Sequence, residues 1–452
     1  MSFDLALVGG TTVTEHGPEA VDVGVRDGRI AALVGRAAEP LCAEQRIDCA
    51  GLLVLPGGVD PHVHFGDQGQ SAFEDFETGT RAAAAGGITT VLDMPLNVPP
   101  TTDAARLHAR RAAISPRAVV DFGLWGGLVP SSLGELESMA RAGAVAFKAF
   151  LCDEVDWESV SDGDLYLGMR EAARLRRPVG VHCENGSIVA ALRQRLRGEG
   201  RTDLGAHAES RPEIAEIEAI RRVALLAGAT GARTQVVHVS TAEGIDACTE
   251  ARHAGADVGA EVTMHHLTLT DEDALEHGTL AKCAPPLRPR RQVDALWERV
   301  LAGDVGNVGS DHSPATAEQK DPRAREHWDI PNGITGVQTL LPLLVSTGVH
   351  ARGLGLADLA RLTARGAARR FGLYPRKGAI RIGSDADFAI VDLDAAWTLA
   401  ASDLEYKAAW SPHEGIAIRG RVTRTILRGT TIFADGEVVG APGGGRWLGD
   451  AH

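Results

Sequence analysis

Two histidines at alternate positions, His62 and His64, are the residues whose type and spacing most directly suggest chemistry. Side chains two residues apart on a β-strand point to the same face, so this pair would present two imidazoles side by side. Imidazole is the commonest metal ligand in proteins, and two of them make half of a typical coordination sphere. An isolated pair of this kind more often consists of ordinary surface or core histidines. Whether this pair binds a metal therefore depends on where the other histidines and acids lie.

Four further polar residues each end an apolar run elsewhere in the chain: Lys148, His182, His238 and Asp311. Alone, a histidine that ends a strand usually bonds a backbone carbonyl, an aspartate caps a turn, and a lysine pairs with an acid. Together with the first pair they have the composition of a binuclear metal site. An ammonium is no ligand, but burial beside two cations should lower the lysine pKa. The neutral amine can then add CO2 to give a carbamate that bridges two metals.

A regular alternation of short apolar runs and helical stretches must position these residues. Helices are predicted at Phe76–Ala85, Ala104–Ile114, Leu133–Ala142, Leu165–Leu175, Ile214–Ala227, Ala242–His253 and Val293–Leu301, with a later pair at Val337–Val345 and Leu356–Phe371. The apolar runs are Val59–His64, Thr89–Met94, Asp121–Leu128, Val145–Phe150, Val179–His182, Gln235–Val239, Val258–Met264 and Val305–Ser310. Eight such alternations predict an α/β fold of the (β/α)8 TIM-barrel type, whose active sites lie at the carboxyl ends of the strands.

Both ends of the chain are rich in short β-strands instead. We expect residues 1–56 and 374–440 to form the two parts of one small β-sandwich domain, with the barrel over 57–373. The tail, 441–452, is expected to be loose or to lie along a subunit surface. Asp385 and Asp387 are interpreted as turn residues of the small domain. Its strands are predicted at Leu5–Val8, Val21–Val25, Ile30–Val34, Ile380–Ile382, Phe388–Asp392, Arg421–Leu427 and Thr431–Ala434.

Composition narrows the class of partner. The 452 residues include 60 acids against 46 lysines and arginines, a net charge of −14 with no basic run, which argues against nucleic acid or an anionic membrane. The six cysteines lack CxxC spacing, so neither a disulfide framework nor a zinc ribbon is expected. The start of the chain lacks a signal-peptide pattern, and no apolar stretch reaches the roughly 18 residues of a membrane span. A cytoplasmic protein acting on a small molecule is predicted.

Six segments carry the candidate residues or follow the barrel: Gly58–His64 (GVDPHVH), Phe147–Lys148, Val181–Asn185 (VHCEN), Val237–Ser240 (VHVS), Ser310–Pro314 (SDHSP) and Lys377–Asp387 (KGAIRIGSDAD). These segments resemble the motifs of the cyclic amidohydrolases, the family of allantoinases, hydantoinases or dihydropyrimidinases, and dihydroorotases. The resemblance covers nearly the whole chain. It implies a metal-dependent hydrolase that opens the ring of a cyclic amide.

The resemblance also implies roles for the six residues. One metal would be held by His62, His64 and Asp311, and the other by the remaining two histidines. Lys148, modified to N6-carboxylysine, and a hydroxide would bridge the two ions. Asp311 would act as the catalytic residue that takes the proton of the hydroxide and passes it to the leaving nitrogen. Zinc is the expected metal, although cobalt, manganese, nickel or iron would fit the same ligands. The family also suggests a homotetramer.

The longest match within the family is to allantoinase, which is therefore the predicted activity. Five segments carry this match: Glu77–Ala84, Gly86–Thr90, Met94–Asn97, Gly278–Arg288 and Asp403–Lys407. A dihydroorotase is disfavoured because Gly66 stands where those enzymes place an arginine that grips the substrate carboxylate. A scaffold homologue without activity is the least favoured alternative, because scaffolds tend to lose metal ligands and all six positions are filled here.

Several departures from allantoinase keep a hydantoinase or dihydropyrimidinase as the alternative. Asn332 begins a segment (NGITG) that looks more like a hydantoinase, and Ala284 stands where serine is usual. Asn97, His265 and Asn332 are the candidate substrate contacts. His265 and its neighbour His266 remain alternatives for orienting the substrate, and either could instead be structural.

Overall fold

The computed structural model describes residues 2–36, 41–153 and 157–449. In chain order its strands are β1 (Phe3–Val8), β2 (Thr11–Thr14), β3 (Gly17–Glu19), β4 (Val21–Arg26), β5 (Arg29–Gly35), β6 (Ala43–Asp48), β7 (Leu53–Pro56), β8 (Gly58–Val63), β9 (Ile88–Asp93), β10 (Asp121–Leu124), β11 (Gly126–Gly127), β12 (Phe147–Phe150), β13 (Val179–His182), β14 (Thr234–Val236), β15 (Val258–Thr263), β16 (Asn307–Gly309), β17 (Phe388–Thr398), β18 (Ala417–Leu427), β19 (Thr430–Ala434) and β20 (Glu437–Val438).

The α-helices lie mostly between the central strands. They are α1 (Phe76–Ala85), α2 (Ala104–Ile114), α3 (Leu136–Arg141), α4 (Asp162–Arg174), α5 (Gly186–Gly198), α6 (Leu204–Ser210), α7 (Glu213–Thr230), α8 (Ala242–His253), α9 (Met264–Thr268), α10 (Asp271–His277), α11 (Arg290–Ala302), α12 (Leu340–Leu344), α13 (Leu356–Ala360) and α14 (Gly366–Arg370). Two π-helical stretches, Val345–His350 and Arg361–Arg365, continue α12 and join α13 to α14.

The central strands form a closed barrel. Strands β8 to β10 pair in parallel as one sheet, and β11 to β16 form another. The third strand of the barrel is divided into two short pieces, β10 and β11. Contacts between β16 and β8, and a bridge between Val63 and His312, close the ring. These strands are buried on both faces, which is why they appear in the sequence as continuous apolar runs. The predicted (β/α)8 barrel is confirmed.

Two further sheets stand beside the barrel. One has the order β5-β4-β1-β6, and the other has the order β20-β19-β18-β17-β7-β2-β3. The second sheet joins the two ends of the chain, because β7 pairs antiparallel with β17. Buried side chains from both sheets, including Leu5, Val54 and Phe388, share one core. The predicted β-sandwich built from both ends is thus present, while its limits at 56, 374 and 440 stay predictions.

A buried ion cluster ties the small domain to the barrel. The Lys377 ammonium lies 2.5 Å from a carboxylate oxygen of Asp121, the first residue of β10, 2.7 Å from Asp387 and 3.0 Å from Asp385. All four side chains are buried. The interpretation of Asp385 and Asp387 as turn residues was therefore wrong. Their carboxylates are oriented by long-range pairing, which local sequence does not reveal.

Two other expectations fail in the same region. Ile380–Ile382 is not a strand, because Ile380 fills the sandwich core without backbone pairing and Ile382 is exposed. The tail is not loose over 441–449, since the Phe122 amide donates to the Arg446 carbonyl at 3.0 Å and the buried Leu448 donates back at 2.9 Å. Residues 450–452 of the predicted tail lie outside the described residues. Among the described residues, no helix combines the length and the apolar character needed to cross a lipid bilayer.

Candidate metal centre

The barrel strands bring all six predicted residues to one place. His62 lies in β8, Lys148 in β12 and His182 at the end of β13, while the other three follow the ends of their strands within two residues. All six line a single cavity of about 630 Å³. This cavity opens at the carboxyl ends of the strands, as the barrel fold requires for an active site.

The backbone is unusual at two of these positions. His238 and Asp311 have φ angles of 40° and 46°, in the left-handed region that non-glycine residues rarely adopt. Each residue follows a short strand, β14 or β16, by two positions. Residues held in such conformations cluster at functional sites, where the surrounding structure fixes them. In this protein the turn aims both side chains into the cavity.

Asp311 is the centre of the first group of side chains. Its Oδ1 atom lies 3.1 Å from Nε2 of His62 and 3.1 Å from Nε2 of His64. Ligand atoms of His62, His238 and Asp311 lie within 4.8 Å of one another, close enough to share one metal ion. Imidazole and carboxylate donors at this spacing fit a divalent transition metal such as zinc.

The second group consists of His182 and His238. The Nδ1 atom of His182 lies 3.0 Å from Nε2 of His238. The ring of Phe150 stacks on the His182 ring, with centroids 5.0 Å apart. Two nitrogen atoms that converge at this distance can serve as neighbouring ligands of one ion, and the phenyl ring limits how far the imidazole can turn.

Lys148 is completely buried, and its charge acts on His64 of the first group and on His238 of the second. Its Nζ atom has no hydrogen-bond partner within the described part of the chain. Burial lowers its pKa to about 8, so a substantial fraction of the amine is neutral near pH 7–8. A buried amine that lacks a hydrogen-bond partner among the described residues, in a cavity lined by the candidate ligands, fits a lysine that would carry a carbamate and hold metal through it.

The protonation states also suit metal binding. Burial lowers the pKa of His64 to about 4 and that of His238 well below its ordinary value, so both imidazoles are neutral at pH 7. Burial acts to raise the pKa of Asp311, but the facing His62 and His64 rings hold it well below its usual range. Neutral imidazole and ionised carboxylate are the forms that bind metals.

Sequence reasoning missed the acids that hold the histidines. Glu261, in β15, lies 2.7 Å from Nδ1 of His62 through its Oε1 atom, and Glu184 Oε2 lies 2.7 Å from Nε2 of His182. Arg211 also pairs with Glu184. Burial acts to raise the Glu184 pKa, but Arg211 and His182 together lower it to about 2. Carboxylates behind metal-binding histidines fix the ring orientation and tautomer. The available signal was a glutamate inside the buried run VGAEVT.

The candidate substrate contacts are placed differently from one another. Asn97 and Asn332 both line the cavity, but the Asn97 amide already bonds Pro99 and Thr101 and so orders its own loop. His265 is buried and is not among the described residues that line the cavity. His266 contacts the Thr263 hydroxyl at 2.7 Å and the Pro285 carbonyl at 3.1 Å, which gives it a structural role.

Gly66 lines the cavity next to the histidine pair. A Cβ atom at this position would come within 2.4 Å of the Gln70 carbonyl oxygen and 2.7 Å of that of Glu74, so the packed loop requires glycine. No side chain can therefore extend from this position toward the substrate. Arg325 supplies positive charge from another part of the cavity wall.

The fold and the gathered side chains together define a (β/α)8 barrel with a candidate binuclear metal centre at its carboxyl-terminal face. The model of the Amidohydrolase family matches residues 53–432, and this chain belongs to that family.

Named relatives cover the whole chain. An allantoinase from Rubrobacter xylanophilus is 48% identical over 98% of this chain and 97% of its own length. An allantoinase from Solibacter usitatus is 44% identical, over 96% and 95%. Among solved structures, the L-hydantoinase (dihydropyrimidinase) from Arthrobacter aurescens superposes with a TM-score of 0.95 at 35% identity, covering 98% of this chain and 99% of that one.

Proposed function

We propose that this protein opens the ring of allantoin by hydrolysis to give allantoate, at a centre of two divalent metal ions. The observation that supports allantoin most directly is the 48% identity, over 98% of the chain, to a protein named allantoinase. The geometry is consistent with cyclic-amide hydrolysis, because the six candidate ligands surround a cavity of about 630 Å³, which is large enough for a small heterocycle.

The proposed ligands divide between the two ions as the family resemblance implies. His62, His64 and Asp311 would hold one ion, His182 and His238 the other, and the Lys148 carbamate would bridge them. When bound, the two metal ions would supply a hydroxide at neutral pH and polarise the amide carbonyl. Zinc is the metal we propose first, since imidazole and carboxylate ligands suit it.

Asp311 would move the proton of the reaction. Its ionised carboxylate accepts the proton from the attacking water oxygen as the new C–O bond forms. When the ring C–N bond breaks, the same oxygen returns that proton to the leaving nitrogen. The low pKa of Asp311, which the facing His62 and His64 rings maintain against the effect of burial, keeps this carboxylate ionised before each cycle.

A hydantoinase or dihydropyrimidinase is the second candidate. The solved structure from Arthrobacter aurescens and the hydantoinase-like segment that begins at Asn332 favour it. A dihydroorotase is disfavoured because Gly66 offers no side chain to a carboxylate. The complete set of candidate ligands argues against a scaffold without activity. We further propose a cytoplasmic homotetramer, as the family resemblance suggests.

A substrate panel with metal analysis tests this proposal. The purified protein, supplemented with zinc, should contain about two metal ions per subunit and open allantoin faster than hydantoin, dihydrouracil or dihydroorotate. Preference for hydantoin or dihydrouracil would replace allantoinase by the second candidate. Fewer than one metal per subunit and no turnover of any ring would exclude the enzyme interpretation.

Removal of the Lys148 amine should reduce turnover by more than the roughly 10–100-fold that is typical when a residue supporting a metal ligand is replaced. We expect Lys148→Ala to retain at most one metal per subunit and to lose turnover by at least about 100-fold. Lys148→Met, which fills most of the lysine volume without an amine, should behave in the same way. Metal analysis and the turnover assay check both variants. Full metal content and activity in Lys148→Ala without added short carboxylic acids would contradict the bridging role.

A further inference from the structure

A second cavity, of about 480 Å³, lies at the end of the barrel opposite the candidate metal centre. Residues that directly precede β14, β15 and β16 line it, so it opens at the amino ends of those strands. Six arginines contribute to its wall: Arg233, Arg252, Arg361, Arg365, Arg369 and Arg370. A barrel needs no charge at this end for its chemistry, because catalytic residues lie at the other end.

The charge of this cavity is not balanced by its own lining. Asp257 and Asp304 are the acidic residues among the lining side chains, which leaves an excess of four positive charges. The chain as a whole carries a net charge of −14. The concentration of arginine here therefore runs against the composition of the protein and creates a local positive potential.

Three of these guanidinium groups, those of Arg252, Arg361 and Arg365, donate to backbone oxygens, which satisfy hydrogen bonds without neutralising charge. Arg252 donates to the Asp304 carbonyl at 2.8 Å and Arg365 to the Glu15 carbonyl at 3.4 Å. Arg369 lies over the Tyr374 ring, 4.5 Å from its centroid. Within residues 2–36, 41–153 and 157–449, Arg252, Arg365 and Arg369 form no ion pair with a carboxylate.

The remaining arginines are paired, but incompletely. Arg233 and Arg370 share the single carboxylate of Asp257, at 3.2 and 2.5 Å. Arg361 pairs with Asp358 through Nε, yet its Nη2 atom is buried and has no hydrogen-bond partner in the described part of the chain. A buried donor without an acceptor costs free energy that a bound anion would recover.

The crowding of like charges affects the arginines themselves. Burial lowers the pKa of Arg365, and the positive charges of Arg369 and Arg361 lower it further. For Arg370, burial has the same effect, Asp257 opposes it, and Arg233 and Arg252 add to it. Arginine nevertheless stays charged at physiological pH, so these groups repel one another in the absence of an anion.

Glycine makes room for this arrangement. A Cβ atom at Gly259, in β15, would come within 2.7 Å of Nη2 of Arg370 and 2.4 Å of Oε1 of Gln235. A Cβ atom at Gly366 would collide with the Gly306 carbonyl. These two glycines allow the helix that carries Arg365, Arg369 and Arg370 to approach the strand ends closely enough to form the cavity wall.

We propose that this cavity binds the phosphoryl group of a small phosphorylated molecule, at a site separate from the metal centre. Arginine is suited to this because its planar fork donates two parallel hydrogen bonds to a phosphate. The volume, about 480 Å³, falls in the range of small-molecule sites, roughly 300–1,000 Å³, and leaves room for more than phosphate alone. The acidic net charge of the chain disfavours an extended nucleic acid, so a small molecule is the favoured ligand.

Titration calorimetry on the metal-loaded protein tests the proposal with three probes: inorganic phosphate, adenosine 5′-monophosphate and adenosine. The test variant is Arg365→Gln/Arg369→Gln, because neither side chain pairs with a carboxylate. The control is Arg141→Gln/Arg419→Gln, which removes the same charge from exposed sites that pair with Glu137 and Asp394. Turnover without probe should be unchanged in both variants.

We expect the monophosphate to bind the unmodified protein and the control equally, and the test variant at least about 100-fold more weakly, since each charge-assisted contact is worth about tenfold. Equal affinity for inorganic phosphate would identify free phosphate as the sufficient ligand, whereas tighter binding of the nucleotide would identify a phosphorylated metabolite. Absence of binding, equal binding by the test variant, or equal binding of adenosine would each overturn the proposal. If the test variant does not fold, Arg365→Lys/Arg369→Lys should weaken binding by about tenfold, and an unchanged affinity would overturn the proposal.

Discussion

Glu261 determines which nitrogen of His62 can face the cavity. Its Oε1 atom lies 2.7 Å from Nδ1 of His62 and can accept the proton of that nitrogen, which would leave Nε2, 3.1 Å from Asp311 Oδ1, free to bind a metal together with that carboxylate. The Asn307 amide donates to the other Glu261 oxygen at 2.9 Å and fixes the carboxylate in turn. One buried glutamate therefore fixes the tautomer of a candidate ligand across the barrel interior.

Substitution of this glutamate should reduce metal affinity without removing a ligand. We expect Glu261→Gln to lower metal affinity or turnover by about 10–100-fold, because an amide no longer accepts the His62 proton with the strength of a carboxylate. A metal titration followed by the turnover assay measures this.

Glu216→Gln is the matched control, since Glu216 is equally buried and bonds Ser240 and Thr241 rather than a histidine. A similar loss in both variants would show that burial of any acid in the barrel, and not support of His62, explains the effect.

The candidate ligands could be found from the sequence because each stands at or beside the end of an apolar run, where the barrel gathers side chains. Glu261 could not be found in this way, since it lies inside a strand and its partner His62 is 199 residues away. Glu184 lies in the segment VHCEN, two residues after His182, but the sequence does not reveal that its carboxylate bonds both His182 and Arg211. Hydrogen bonds between side chains on opposite sides of a barrel depend on the tertiary structure, which the local sequence pattern does not reveal.

At the level of elements, α1, α2 and α8 were predicted best, whereas α5 and α6 were missed although Asn185 and Asp203 cap them. The predicted bounds of α1, α2 and α8 agree with the structure. Asp75, Asp103 and Thr241 cap these helices by accepting backbone hydrogen bonds, a signal that is local in the sequence. The first turn of α11, which precedes the predicted start, and the π-helical stretch Val345–His350, which extends past the predicted end at Val345, lack such a signal and were missed.

The short helix α9 contributes to the acid sensitivity of the fold through His266. Burial lowers the His266 pKa to about 4 from the ordinary 6.5, so the unfolded chain binds more protons than the folded one between these values. The stability from the neutral ring is complete above pH 6.5 and is lost as the pH falls to 4, about 3 kcal/mol in total. His266→Gln should therefore show a shallower loss of unfolding free energy over this range in urea denaturation.

Exposed His108 in α2 provides the control for this measurement. His108→Gln should leave the dependence of the unfolding free energy on pH unchanged. Parallel curves for the unmodified protein and His266→Gln between pH 7 and 4 would show that this histidine does not titrate on unfolding.

For the molecule as a whole, the Lys377 cluster is the charged link between barrel and sandwich. Lys377→Met should lower the free energy of unfolding by about 3–5 kcal/mol, because the buried carboxylates of Asp121, Asp385 and Asp387 would lose the cation that all three share. Urea denaturation measures the change. Lys407→Met, which removes a partly exposed ion pair with Asp75, should change it by no more than about 1 kcal/mol. Equal effects would mean that the buried cluster contributes no more than a surface pair.

The pairing of β7 with β17 has a consequence for the synthesis of this protein. Strand β7 ends at Pro56, and only Gly57 separates it from β8, the strand that carries His62, while its partner β17 begins at Phe388. A ribosome adds about 5–20 residues per second, so β7 lacks its antiparallel partner β17 for on the order of tens of seconds after it is synthesised. During that interval β8, the first strand of the barrel, has been synthesised, but the neighbouring β7 is not yet paired with β17. Chaperone capture of the nascent chain should therefore concentrate on this early segment until translation reaches β17.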